Sequence, residues 1–307
     1  MADVGKRVIP ILVGPTAVGK TAVAAALADR WPLVVISADS RQVYRGLDIG
    51  TAKPSSALRA RVPHFGLDLV DPGERYSAGR FARDATGWLG ALASDRQPLV
   101  VGGTGFYIRA LVDGLFREPP MDAGRRNRLR QFLTAVPTVA AWAVRLDPAY
   151  SGGGRQRAAR AVEIALLSGR SLSWWQRHAR ERGIVTPWIV RLAVPRAVLR
   201  QRIAARAEAM LAAGLVGEVE SVLARGVAPD APGLDGVGYR EVVQFLRGTL
   251  ARDAVLAAIV TATARYAKRQ ETWFRHQLGG DVVVLDATRP ADDVAEEIAA
   301  RWRAREG

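Results

Sequence analysis

The sequence predicts an α/β protein: a parallel sheet with helices on both faces, interrupted by a helical, arginine-rich insertion. Three observations predict it. Short apolar runs rich in Val and Ile alternate with stretches of helical spacing from Val8 to Val112. From about Arg117 the alternation stops, and only helical stretches follow until Trp188. Strand and helix signals then return before the C-terminus.

Val8 to Val13 is an apolar run ending in Gly14-Pro15, the pattern of a strand buried on both faces. Thr21 to Arg30 is an alanine-rich helix, and Leu33 to Ser37 a second buried strand. Ser77 to Ser94 has helical spacing through Phe81, Trp88 and Leu92; Pro98 to Gly102 is a third strand, and Thr104 to Val112 a further helix. Asp122 to Ala135, Thr138 to Val144 and Gln156 to Ser168 read as helices, with turns at Gly152-Gly153-Gly154 and Gly183. Trp188 to Val194 is a strand, Arg196 to Ala213 and Leu250 to Leu278 are helices, Asp281 to Leu285 is a strand, and Pro290 to Arg305 closes as an amphipathic helix. The division that follows is a core from 1–117 and 187–307, and an insertion over 118–186.

Hydrophobic residues at 49% and charged residues at 24% exclude wholesale disorder in this 307-residue chain. There is no cysteine, which excludes disulfides, thiolate metal sites and cysteine nucleophiles. Met1 to Lys6 has no apolar leader, and no apolar run approaches the roughly 18 residues that span a bilayer. These features predict a soluble, cytoplasmic protein without a membrane partner, and a monomer is expected.

The net charge of +14 is uneven. Residues 117–210 hold eighteen arginines against six acids, whereas residues 211–307 hold twelve bases against fourteen acids. Guanidinium binds phosphate in a bidentate way that ammonium cannot, so a polyanion is the natural partner of the middle third. A general preference for arginine over lysine would explain the ratio of the two, but not the confinement of the excess to one segment.

Gly14-Pro15-Thr16-Ala17-Val18-Gly19-Lys20-Thr21 matches G-x-x-x-x-G-K-[ST] between a buried strand and a helix. Its backbone N–H groups turn inward around an anion, and the helix N-terminus adds partial positive charge. Lys20 can reach the distal phosphate, and the Thr21 hydroxyl suits Mg²⁺. The fold is therefore expected to be P-loop NTPase-like, with a di- or triphosphate bound. A triphosphatase would add a strand ending in a metal-holding acid. Leu33 to Ile36 is instead followed by Ser37-Ala38-Asp39, and Leu99 to Gly102 runs into Gly103-Thr104. Asp39 thus belongs beyond the carboxyl end of a strand, where it could hold a metal, take a proton or cap a helix.

The loop and the run Ser37-Ala38-Asp39-Ser40-Arg41-Gln42-Val43-Tyr44-Arg45-Gly46-Leu47-Asp48-Ile49-Gly50-Thr51-Ala52-Lys53-Pro54 resemble the tRNA dimethylallyltransferase family. So do Val101 to Tyr107, Val237-Gly238-Tyr239-Arg240 and Lys268 to Arg275, in family order over almost the whole chain. The resemblance implies transfer of a dimethylallyl group from dimethylallyl diphosphate to N6 of the adenosine 3′ to the anticodon, in tRNAs reading codons that begin with U. It implies that the loop, Gly14 to Thr21, holds the prenyl diphosphate with Mg²⁺, aided by Arg206. Asp39 would be the general base, and Thr104 would contact the same nucleotide. The tRNA anticodon stem-loop would meet Asp39, Ser40, Arg41, Gln42 and Thr104; Arg126; Gln156, Arg157, Ala158, Ala159 and Arg160; and Gly238, Tyr239 and Arg240. Tyr239 fits a base-stacking ring and a core tyrosine equally well. Arg202, one turn from Arg206, reads as solvated. Trp174, Trp175 and Trp273 read as packing residues, and His64, His178 and His276 lack ligand spacing.

The chain departs from the family at two places. Ser151-Gly152-Gly153-Gly154 replaces a His-Pro-x-Asp segment, removing a helix cap before Gln156, and Leu234-Asp235-Gly236 replaces a more basic or bulkier stretch. Competing expectations are a P-loop kinase of a nucleotide or small metabolite, a noncatalytic RNA-binding module, and a prenyltransferase of free adenine nucleotides. The last would not need the arginine-rich segment.

Overall fold

The strands are β1 (Val8–Val13), β2 (Leu33–Ser37), β3 (His64–Phe65), β4 (Gln97–Gly102), β5 (Thr186–Ala193) and β6 (Val282–Asp286). In the computed structural model, which describes residues 7–306, they form one sheet in the order β3-β2-β4-β1-β5-β6, parallel throughout. Residues 1–6, on which the expectation about a leader falls, lie outside the described residues. β1 shows why its run is apolar without interruption. Ile9, Ile11 and Val13 enter one core layer and Leu12 the other, so both faces are buried.

The helices of the core are α1 (Lys20–Leu27), α2 (Ser56–Arg61), α3 (Ala78–Gly90) and α4 (Gly105–Val112), then α9 (Arg196–Ala212), α10 (Leu215–Ala224), α11 (Tyr239–Leu246), α12 (Val255–Gln277) and α13 (Ala291–Glu306). Side chains of α1 and α13 fill the layer on one face of the sheet, where Leu27, Val294 and Ile298 are fully covered. Residues of α3, α4, α10, α11 and α12 fill the other, around Phe81, Ile108, Val219, Val242 and Ile259. The architecture is the α/β arrangement that the alternating pattern predicts.

The chain separates into two compact units, one holding the residues up to Val112 and from Ile184 onward, the other Asp113–Gly183. The second unit is helical: α5 (Ala123–Ala135), α6 (Val139–Leu146), α7 (Arg155–Ser168) and α8 (Leu172–His178). It has its own core of Leu133, Val139, Ala143, Ala158, Ala161 and Val162. The helix expected from Leu250 begins instead at Val255, after a single 3₁₀ turn at Arg252–Ala254. The elements β3, α2, α8, α10 and α11 have no counterpart in the sequence-based reading. Among the described residues no helix is long and apolar enough to cross a membrane.

Candidate active site

The carboxyl ends of β2, β4 and β1 lie side by side, with Ser37 paired to Val101 and Val13 to Gly102. Three segments therefore converge: the phosphate loop after β1, Asp39 after β2, and Gly103-Thr104 after β4. They border a cavity of about 1600 Å³, which also receives Arg202 and Arg206 from α9 and Tyr266 and Gln270 from α12.

The loop is shaped by close approach and positive φ. At Gly14 (φ 155°) a Cβ would lie 2.8 Å from Leu192 O, and Gly19 opens α1 at φ 110°. Ala17 is held at φ 64°, a left-handed conformation that costs an L-residue about 1–2 kcal/mol. Lys20 Nζ donates to Gly14 O and Pro15 O, both at 2.9 Å. Its pKa falls to about 8, because burial takes the ammonium out of water; nearby Asp39 opposes this fall and Arg206 adds to it. Burial likewise lowers the pKa of Arg206, against the pull of Asp39. Arg206 has no salt bridge or hydrogen bond among the described residues. Two desolvated cations at the mouth of an amide-lined loop form a receptor for a multiply charged anion.

Asp39 follows β2 in a turn of its own making, with Oδ1 accepting from Arg41 N at 2.8 Å. Among the described residues Oδ2 has no hydrogen-bond donor, and the carboxylate forms no salt bridge. Thr104 Oγ1 accepts from Ser40 N at 2.9 Å and lies 3.2 Å from Ser40 Oγ. Its backbone N–H donates to Ala38 O, which locks the two strand-end loops together. Thr21 lies in the first turn of α1, exposed to solvent, with no hydrogen bond to its hydroxyl among the described residues. No group of three or more acids and histidines that could cage a metal occurs among them either. This donor set fits a hard divalent cation that takes most of its ligands from substrate phosphates and water.

A family model described as IPP transferase matches residues 42–277, and one described as isopentenyl transferase matches residues 7–60. A tRNA dimethylallyltransferase of Halorhodospira halophila is 45% identical over 286 residues, covering 88% of this chain and 90% of its own. The chain belongs to the IPP transferase family. A tRNA dimethylallyltransferase of Thiobacillus denitrificans is 42% identical over 310 residues, with 98% of this chain and 97% of the relative covered. The crystal structure of the tRNA isopentenylpyrophosphate transferase of Bacillus halodurans matches with a TM-score of 0.72 at 32% identity, over 98% of this chain and 96% of that one. The structure of a eukaryotic dimethylallyltransferase acting on tRNA shares the fold, with a TM-score of 0.82 at 23% identity, over 97% of this chain and 80% of that one. Membership of this family decides against the P-loop kinase.

Within the IPP transferase core, one cavity gathers Asp39, Thr16 to Thr21 of the loop and Arg206, together with Arg41, Gln42, Gly238 and Arg240, and Thr104 follows the lining residue Gly103 and accepts from Ser40 N. Gln42 is held on both sides, accepting from Ser37 Oγ at 2.8 Å and donating to Thr51 O at 3.2 Å. Arg41 donates to Pro232 O at 2.9 Å. Tyr239 is a correction to the expected RNA contacts. It is 1% exposed, its hydroxyl donates to Glu218 Oε1 at 2.6 Å, and a Cβ on Gly50 would lie 2.5 Å from its ring. No ring face is available to a base. Arg202 is a second correction. Instead of standing in solvent, its guanidinium donates to Val18 O and Ala287 O, each at 2.9 Å, and ties the loop to the residues after β6.

In the helical unit Gln156 and Arg157 are exposed, Ala159 is half-buried, and Ala158 is fully buried, so its side chain packs rather than binds. Arg126 and Arg160 are committed to carboxylates. Glu163, 3% exposed, accepts from Arg126 Nε at 2.9 Å, from Arg130 Nε at 2.5 Å and from Arg160, while Glu118 accepts from Arg126 and Arg160. Burial pushes the Glu163 pKa up, but the Arg130 hydrogen bond and the three guanidinium charges hold it below the ordinary value. Sequence reasoning missed Gln270, Tyr266 and Glu218. The last accepts from Asp48 N, Ile49 N and Gly50 N and so sets a loop that lines the same cavity. Gln270 stood in plain view inside the Lys268 to Arg275 block, but its partners, Thr16 and Gly103, are distant in sequence.

Proposed function

We propose that this chain transfers a dimethylallyl group from dimethylallyl diphosphate to N6 of the adenosine 3′ to the anticodon, in tRNAs that read codons beginning with U. One observation carries the reading. Lys20 and Arg206, two cations with no carboxylate bound to them, face Asp39 across a cavity without closing a salt bridge to it. A leaving anion fits on one side of that gap and a proton-bearing nucleophile on the other.

The loop amides, Lys20 and Arg206 bind the diphosphate and stabilise the charge that develops as its bond to C1 of the prenyl group breaks. Asp39 Oδ2 accepts the proton of the adenosine amine as that nitrogen bonds to C1. A placed base of this kind contributes about 10²- to 10⁴-fold. Thr104, fixed by Ser40 N, presents its hydroxyl to the same nucleotide. Mg²⁺ held by Thr21 and the diphosphate would neutralise charge on the leaving group. The adenosine leaves its stack to reach Asp39, at a cost of a few kcal/mol. Contacts of Ser40, Arg41, Gln42 and Arg240, and of Gln156 and Arg157 in the helical unit, offset that cost, whereas Arg126 and Arg160 are held by Glu163 and Glu118. The reaction belongs in the cytoplasm, where its RNA resides, and a monomer suffices because every group named comes from one chain.

The test is incubation with Mg²⁺, dimethylallyl diphosphate and either tRNA, AMP or ADP, followed by mass spectrometry. A gain of one C5H8 unit on tRNA alone is expected, and Asp39→Ala slows it by about 10²-fold or more with tRNA still bound. Transfer to AMP or ADP but not to tRNA would replace the reading with a free-nucleotide prenyltransferase. RNA binding without product would leave only a binding module.

A further inference from the structure

Along α12, Tyr266, Gln270 and Trp273 share one helix face and meet three consecutive residues after β4. Tyr266 lies against Thr104, and Trp273 covers Gly105 so closely that a Cβ there would lie 2.4 Å from the indole. Gln270 Nε2 donates to Gly103 O at 2.9 Å, and a Cβ on Gly103 would lie 2.3 Å from that nitrogen. The same amide also reaches the other way, its Oε1 accepting from Thr16 N at 2.8 Å. Past the last β1–β4 pair, Val13 with Gly102, this side chain is the hydrogen-bonded link between the phosphate loop and the Gly103–Thr104 loop among the described residues. Gln270 is 7% exposed, so neither bond can be given up without stranding a polar group away from water.

We propose that Gln270 is a positioning residue that couples the diphosphate site to the acceptor site, so that each ligand changes the affinity for the other. This rests on the functional reading above, which puts the diphosphate on the first loop and the adenosine on the second. When the acceptor settles against Thr104, any shift of Gly103 is passed through one rigid amide to Thr16, and diphosphate binding passes its shift back. Coupling between binding sites is reciprocal, so the two affinities must change by the same factor.

The test uses the full chain, Mg²⁺, inorganic pyrophosphate and an unmodified tRNA anticodon stem-loop. No prenyl group is present, so nothing turns over. Calorimetry should show pyrophosphate affinity changing by about fivefold or more when the stem-loop is saturating, and stem-loop affinity changing equally with pyrophosphate. In Gln270→Leu, which removes both bonds, the factor should fall below about twofold. Gln270→Glu keeps an acceptor for Thr16 N but places a carboxylate against Gly103 O, and should lose the coupling too. It also serves if the leucine variant does not fold. A wild-type protein without coupling, or a folded variant that is less stable yet keeps the full factor, overturns the proposal. Failure of the functional reading would look different: no C5H8 transfer to tRNA by the wild-type chain.

Discussion

Lys20 sits against the loop that precedes it, bonded to two carbonyls and drawn out of water, so its pKa drops to about 8. The direction of the consequence follows from linkage. Between about 8 and the ordinary 10.5 the unfolded chain binds more protons than the folded one, so the penalty of burying this cation is full below 8 and disappears as pH rises. A bound diphosphate reverses the preference, because its negative charge favours the ammonium and raises the pKa again. At pH 9 the empty protein must therefore take up a proton at Lys20 to bind, and at pH 7 it need not. The affinity advantage of wild type over Lys20→Met for pyrophosphate should be greatest below pH 8. Above it, that advantage should shrink by up to about tenfold per pH unit. Titrating both proteins at pH 7, 8 and 9 measures this as a ratio in which the ligand's own ionisation cancels. A ratio that stays constant would mean that Lys20 keeps its proton throughout.

Helix α7 begins at Gly154 in extended backbone (φ −67°, ψ 168°), without a side-chain cap, as the Ser151–Gly154 substitution predicts. Its place is held from elsewhere: Arg155 donates to Leu133 O, Thr134 O and Val136 O, the trailing carbonyls of α5. Gly154→Ser fits, since nothing lies within 4 Å of its Cβ position, and should stabilise the chain by a few tenths of a kcal/mol. Gly153→Ala should do the reverse. Gly153 has φ 135°, and the new methyl would lie 2.6 Å from Arg157 Cδ, so a loss of about 1 kcal/mol or more is expected. Urea midpoints of the two variants against wild type check both signs. Elements of this kind were legible where an apolar period ran unbroken, as in β1, β2, β4 and α12. They were illegible where glycine or brevity hid the period. α10 follows Gly214 and carries Gly217, α11 starts from Gly238 at φ 94°, and β3 is only two residues long. The candidate site is legible in the loop, Asp39 and Thr104 because family motifs and strand ends mark them. Arg202 departs from its expected place in solvent, and Tyr239 takes the core alternative that the sequence leaves open, because a side chain's partner across the fold leaves no mark on its neighbours in sequence.

The charge of the whole chain, +14, suggests a broad basic surface, yet the helical unit spends part of its excess internally. Asp113–Gly183 contains thirteen arginines and six acids, and Arg126, Arg130 and Arg160 all converge on Glu163. Arginines of two kinds follow, and salt separates them. Arg157 is exposed with no ion pair among the described residues, so Arg157→Ala should weaken tRNA binding across sequences. It should also lower the slope of log affinity against log salt by about one, because one fewer counterion is released. Arg126→Ala removes a guanidinium that already neutralises Glu163 and Glu118, so stability should fall by about 1–3 kcal/mol through the lost charged hydrogen bonds. Its effect on the salt slope should be the smaller of the two, since a paired arginine releases fewer counterions when RNA arrives. Filter binding between 50 and 200 mM salt, roughly the range over which several phosphate contacts lose most of their affinity, should therefore rank Arg157→Ala as the steeper change in slope. Chemical denaturation should rank Arg126→Ala as the larger loss of stability. Were the two orders reversed, the Glu163 cluster would be an RNA-facing clamp whose arginines exchange carboxylate for phosphate, and the basic excess would be spent on the ligand after all.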